Sequence, residues 1–209
     1  MRTSFIALAL LLAPLAMAGP KIPKAQLKQL PEDVLSRFEA GETVLDELDA
    51  DHEKALVEAE HAQTKIKADK MQLKALKSKL DADKAAKKAA KEAKDKGKIK
   101  ATKAQIEATE LEITAAEGRV RAASALAKLE AERAQLIEAE RDVKEAELRY
   151  QQAQAIYDAE LEIDVNIYEA AVSKVKIKFE EARADVMLAE AKVSGKGGDP
   201  MGEEAPPAQ

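Results

Sequence analysis

Residues 84–113, KAAKKAAKEAKDKGKIKATKAQIEATELEI, decide the fold. The first half is a lysine–alanine run of good helix formers with no proline. At Lys94-Asp95-Lys96-Gly97-Lys98 it meets the best turn of the chain's interior, where a glycine follows a lysine-rich last turn as at many helix C-termini. A heptad starts at once beyond it: Ile99, Thr102, Ile106, Thr109, Ile113, Ala116, Val120, Ala123 and Ala127. Helix, turn and new heptad read as two long helices reversing about Gly97.

Upstream the same spacing of three and four holds. Leu45, Leu48, His52, Ala55, Ala59, Ala62, Ile66, Asp69, Leu73, Leu76 and Leu80 form a seam that dies into Asp83 and Lys87. Downstream the phase slips near 127–136 and resumes as Leu136, Ala139, Val143, Ala146, Tyr150, Ala153 and Tyr157. After a stutter, Leu161, Val165, Tyr168, Val172, Val175, Phe179, Ala182, Val186, Ala189 and Val193 are apolar without exception. Sustained heptads with charged flanks specify coiled coil, and phase slips mark local unwinding. The expected fold is all-α, a long antiparallel helical hairpin.

Composition agrees. Of the 209 residues, 46% are hydrophobic, yet 43 of these are alanine, and aromatics make only 3%. Ala, Glu, Lys, Arg and Leu supply 124 residues, the alphabet of long helices. Alanine buries little area, so a compact domain around a deep substrate pocket is not expected.

The breakers lie at the ends. Prolines occupy 14, 20, 23 and 31, then 200, 206 and 207; between Glu42 and Ser194 there is none, and Gly97 and Gly118 are the sole glycines there. Residues 19–30 read as an extended leader and 194–209 as a disordered Gly/Pro-rich tail. The first helical arm spans 31–96, the turn 97–98, and the second long helix 99–193. Pro31-Glu32-Asp33 suits a helix start. Gly41 is expected to end or bend that segment, with Thr43 restarting it.

One stretch stays open between two readings. Leu161, Ile163, Val165 and Ile167 alternate with acids and Asn166, and Val175, Ile177 and Phe179 with lysines, as in a β-hairpin. The same residues fit the helical seam, which is preferred because Glu169-Ala170-Ala171 is a poor turn. As a helix, Ile156, Ile163, Ile167 and Ile177 make a second apolar face. If unbroken, the second helix would be about 145 Å long against about 80 Å for the first. The excess, about 155–193, must pack on 31–41, fold back, or meet another subunit. That makes Tyr150, Tyr157, Leu161, Val165, Tyr168, Val172, Val175 and Phe179 a candidate packing or oligomerisation segment, and a homo-oligomer is expected.

Met1–Ala18 has the parts of a secretory signal peptide: Arg2, an apolar Phe5–Leu15 and Ala16-Met17-Ala18 as the cleavage site. Phe5–Ala18 is only 14 residues, too short to span a bilayer. An exported protein of a Gram-negative periplasm, not integral to the membrane, is the expectation. With no cysteine, no disulfide or thiolate site is available.

Net charge is −5 but uneven. Residues 31–64 carry eleven acids and two bases, 65–103 fifteen lysines and five acids, and 104–194 twenty acids and twelve bases. A hairpin gathers Lys84, Lys87, Lys88, Lys91, Lys94, Lys96, Lys98, Lys100 and Lys103 at its tip. They read either as a solvated helix face or as a tip for an anionic partner: acidic lipid, lipopolysaccharide phosphate or an acidic protein segment. Export argues against nucleic acid.

Nothing carries catalysis. His52 and His61 lie on opposite helix faces and cannot share a metal; His52 reads as a polar seam residue. The acids from Asp46 to Glu53 lack the glycine and spacing of a calcium loop. No nucleophile elbow, phosphate loop or nucleotide fingerprint is present. The chain reads as a non-enzyme with neither metal nor cofactor. The signal segment, the hairpin 42–193 and the lysines 84–103 together resemble the periplasmic Skp/OmpH chaperone family. That resemblance implies a trimer holding outer-membrane proteins between coiled-coil arms. This chain departs from it in being acidic overall, and only 161–179 could serve as the family's β-stranded base; uncharacterised periplasmic coiled-coil proteins rich in alanine fit equally well. The functional expectation is an envelope scaffold acting through protein–protein contacts. The alternatives are a holdase-type chaperone and an anionic-surface binding module.

Overall fold

The computed structural model describes residues 20–196; the signal segment 1–18 and the tail beyond 196 lie outside the described residues. Four helices follow in order: α1 (Lys24–Leu27), α2 (Glu32–Glu92), α3 (Lys96–Asp158) and α4 (Val165–Lys196), with no strand among the described residues. The all-α hairpin expectation is met. The alternating stretch at 161–179 is a loop to Asp164 and helix from Val165, not a β-hairpin.

Several boundaries differ from expectation, among them the hairpin turn, which lies at 93–95 and not at 97–98. The second arm, read as one helix over 99–193, is two helices separated at 159–164. The leader is not extended: Pro23 starts the single turn α1, and Ile22, Leu27 and Leu30 join a buried cluster. Gly41 neither ends nor restarts a helix. α2 runs through it, and the Thr43 hydroxyl donates to the Glu39 carbonyl four residues back, 3.0 Å, as a mid-helix residue does.

The chain divides into two compact units, 20–49 with Glu138–Glu180 and Ala50–Ile137 with 181–196. In the first, antiparallel pairing of α2 and α3 is fixed by Asp49 with Arg141 and by Gly41 against Leu148. α4 lies on another face of α3: Val143 and Ala146 pack with Val172, Val175 and Phe179, and Lys176 meets Glu147 at 2.9 Å. Leu30, Phe38, Leu148 and Ile156 form a second cluster, with Leu45, Leu161 and Ile163 against it. In the second unit Lys77–Glu117, Lys79–Glu112 and Lys84–Glu110 set the antiparallel register of α2 and α3. Leu129 packs there with Val186 and Ala189 of α4.

The heptad reading of α2 holds at every step: from Leu45 through Asp83 and Lys87 to Ala90 each seam residue is buried or half-buried. The seam therefore continues past Leu80. Asp83 stays in it because the Thr109 hydroxyl, wholly buried on α3, lies 3.3 Å from its carboxylate. Two polar residues facing each other in an apolar seam disfavour neighbouring registers, since any slip strands them. The seam of α4, Val165 to Val193, is likewise covered throughout. Tyr157, placed on the α3 seam by its spacing, is instead 62% exposed, because α3 ends within the next residue.

Candidate interaction site

Both helix reversals are built the same way, and neither uses glycine where a left-handed residue is needed. At the end of α2, Lys94 has φ 54°. The Asp95 N–H donates to the Ala90 carbonyl and the Lys94 N–H to that of Lys91, both 3.0 Å. At the end of α3, Glu160 has φ 59°, with Leu161 N–H on Ile156 and Glu160 N–H on Tyr157. Each pair of bonds closes a Schellman motif. An aspartate then caps the next helix: Asp95 Oδ1 accepts from the Lys98 N–H at 3.0 Å, and Asp164 Oδ1 from the Asn166 N–H at 3.1 Å. Gly97, expected to be the terminator, lies inside the first turn of α3.

The α2–α3 reversal carries the lysines. Lys70, Lys77, Lys84 and Lys91 recur every seven residues on α2, each one past a seam residue. Lys96, Lys103, Glu110 and Glu117 do the same on α3. In an antiparallel coiled coil such positions face one another and set its interhelical ion pairs; here residues 77, 84 and 91 of α2 face 117, 110 and 103 of α3, while Lys70 lies opposite Ser124. Lys77 meets Glu117 at 2.9 Å and Lys84 meets Glu110 at 3.9 Å. The hydrogen bond and charge of Lys77 hold the Glu117 carboxyl below the usual carboxylate range. The next rung in that register places Lys103 opposite Lys91, and the sign complementarity stops.

The nine tip lysines thus sort into different surroundings. Lys84 is matched by Glu110, and Lys98 lies 3.8 Å from Asp95. Lys87 is a half-buried seam residue, and Lys94 is the left-handed residue of the turn. Lys88 and Lys91, three apart on α2, and Lys96, Lys100 and Lys103, spaced four and three on α3, share the side of the failed rung and are exposed. Lys103 has one acidic neighbour, Glu107, 3.6 Å away along its own helix. Exposed pairs of this kind are weak and leave the field positive.

Apart from the exposed Tyr157, the candidate residues of 150–179 are covered from within the chain. Tyr168 is 3% exposed, and burial raises its hydroxyl pKa against the opposing charge of Arg149. Val172, Val175 and Phe179 pack on α3, Leu161 packs beside Ile156, and Tyr150 and Val165 are half-buried. Of the second apolar face, Ile156 is wholly buried and Ile163 packed, while Ile167 and Ile177 stay exposed. A shallow depression of about 470 Å³ at the α3–α4 reversal is lined by Tyr157, Asp158, Glu160, Leu161 and Glu162. It is acidic and open, with no enclosed wall to exclude water.

Sequence reasoning missed one polar constellation, in the first unit. Arg141 donates to Asp49 on α2 at 2.5 Å and to Glu145 at 2.8 Å, and Arg149 also donates to Glu145. All but Asp49 are more than four-fifths buried. The bond it donates to Asp49 holds the Arg141 guanidinium above its ordinary pKa. Nearby, burial and Glu138 push the Asp142 carboxyl up, against the opposing charges of Arg141 and Lys178. Burial alone would raise Glu147, but Lys176 and Lys144 together hold it below the usual range. The available signal was the spacing Arg141, Glu145, Leu148, Gln152, Ala155, a second seam on α3 that polar residues disguise.

His52 is half-buried on the seam and His61 exposed, and no metal-holding group of side chains occurs among the described residues. No helix among them is long and apolar enough to cross a membrane. No family model, curated protein or solved structure matches the chain.

Proposed function

We propose that this chain is an exported, non-enzymatic helical scaffold of the cell envelope, and that its α2–α3 reversal is the contact site for an anionic envelope partner. One observation carries the reading. On one side of the hairpin Lys77 and Lys84 of α2 are matched by Glu117 and Glu110 of α3, and the next step of seven sets Lys91 against Lys103 although the helices continue. A stretch kept merely soluble by charge gains nothing from placing lysine against lysine across a hairpin, where like charges destabilise. A contact surface for an anion does.

The test is co-sedimentation with vesicles of phosphatidylglycerol in phosphatidylcholine. The expected result is binding that falls as salt rises and is lost when Lys87, Lys88, Lys91 and Lys94 become glutamine. Unchanged binding of that variant would overturn the reading.

A further inference from the structure

We infer that the Lys91–Lys103 rung is a binding site for clustered phosphate oxyanions, a diphosphate group or adjacent phosphate headgroups, that bridge α2 and α3 on one side of the hairpin. The inference deepens the proposed function and rests on it. It differs in restricting the site to five lysines, Lys88, Lys91, Lys96, Lys100 and Lys103, and in assigning the anion a structural effect.

Register is the basis. The rungs Lys77–Glu117 and Lys84–Glu110 step by seven on each helix in opposite directions. One further step of seven gives Lys91 and Lys103. The other side of the hairpin behaves differently. There Lys79 pairs with Glu112 at 3.6 Å, the next residues in the same series are Ala86 and Gln105, and Lys98 beyond them is met by Asp95. Positive charge is therefore concentrated on one side. Acids near the five lysines are few: Glu92 at the end of α2, Asp95 in the turn and Glu107 on α3.

Phosphate chemistry fits this arrangement. Lysine ammonium groups on long stems act as point charges with three donors each and converge on oxyanions without needing a fixed fork. Two ammonium groups repelling across the rung, with three more beside them, present more positive charge than one singly charged ion removes. A group with two or more negative charges cancels the repulsion and ties the helices together. Such a ligand binds the folded hairpin and not the unfolded chain, so it raises thermal stability.

The experiment measures thermal unfolding by circular dichroism with and without inorganic pyrophosphate, beside the vesicle assay above. Wild type should gain stability with pyrophosphate. Lys103→Glu completes the ladder with a glutamate opposite Lys91. It should keep its helicity, lose most of the pyrophosphate-induced shift and lose most of its vesicle binding. A paired Lys91→Gln, Lys103→Gln variant should do the same without adding a negative charge. Lys98→Gln, on the other side, should retain both responses. A pyrophosphate shift points to a free diphosphate ligand, and vesicle binding without it to a lipid surface; either supports the site if the rung variants abolish it. If wild type responds and Lys103→Glu responds equally, this inference falls while the proposed function stands. If wild type responds to neither probe, both fall.

Discussion

Lys94 and Glu160 adopt backbone angles that L-residues with a Cβ enter at a cost of about 1–2 kcal/mol. Glycine enters them freely and is the usual residue at such helix ends. Lys94→Gly and Glu160→Gly should therefore each stabilise the protein by about 1 kcal/mol, read as a higher urea midpoint at unchanged slope. A lower midpoint would mean that these side chains hold contacts outweighing the strain. Asp142 offers a test with a definite sign. Burial and Glu138 raise its folded-state pKa, so the folded chain keeps this proton to higher pH than the unfolded chain. Stability then falls as pH rises from the ordinary carboxylate range through the raised folded value. Asp142→Asn should raise stability at neutral pH and flatten that part of the pH–stability curve, while a steeper curve would contradict the assignment. Glu147, held low, contributes in the opposite sense: its share is present above the ordinary carboxylate range and lost as pH falls through the lowered value.

Two glycines within helices separate close packing from open surface. A Cβ on Gly41 would lie 2.7 Å from Leu148 Cδ1, and Leu148 is itself buried. A Cβ on Gly118 meets nothing. Gly118→Ala should stabilise by about 1 kcal/mol from helix propensity. Gly41→Ala should cost about 1–3 kcal/mol from overpacking and be relieved by Leu148→Ala in the same chain. Additive effects of the two substitutions in chemical denaturation would rule out their contact. The legibility of the elements follows the same line. The seams of α2 and α4 could be read because one apolar stripe met one partner. The phase slip near 127–136 is visible in the sequence too, where it reads as local unwinding. It falls where α3 begins to carry two seams: Val143 and Ala146 serve α4, while Arg141 and Leu148 serve α2. The second seam was illegible because Arg141, Glu145 and Gln152 hold polar positions in it. The break at 159–164 was illegible because Glu160 stands where glycine would have announced it. For the candidate site, the lysine cluster was plain in the sequence, but its division between two sides required the register.

For the molecule as a whole, most of the apolar seam of 155–193 is covered from within the chain, because α4 returns along α3 in each unit. Sedimentation velocity across micromolar concentrations should accordingly show one monomeric species. Ile156→Ala, which empties a wholly buried position between α1, α2 and the α3–α4 reversal, should cost about 2–5 kcal/mol. A concentration-dependent dimer would instead direct attention to Ile167 and Ile177, which remain exposed. One-sidedness of the five lysines has a consequence for orientation. Charges gathered around a hairpin's end would let it stand upright on a phosphate-bearing sheet. Charges along one flank, running from Lys88 to Lys91 on one helix and from Lys96 to Lys103 on the other, would instead hold this end of the hairpin broadside to such a sheet, with the Lys79–Glu112 flank turned to water.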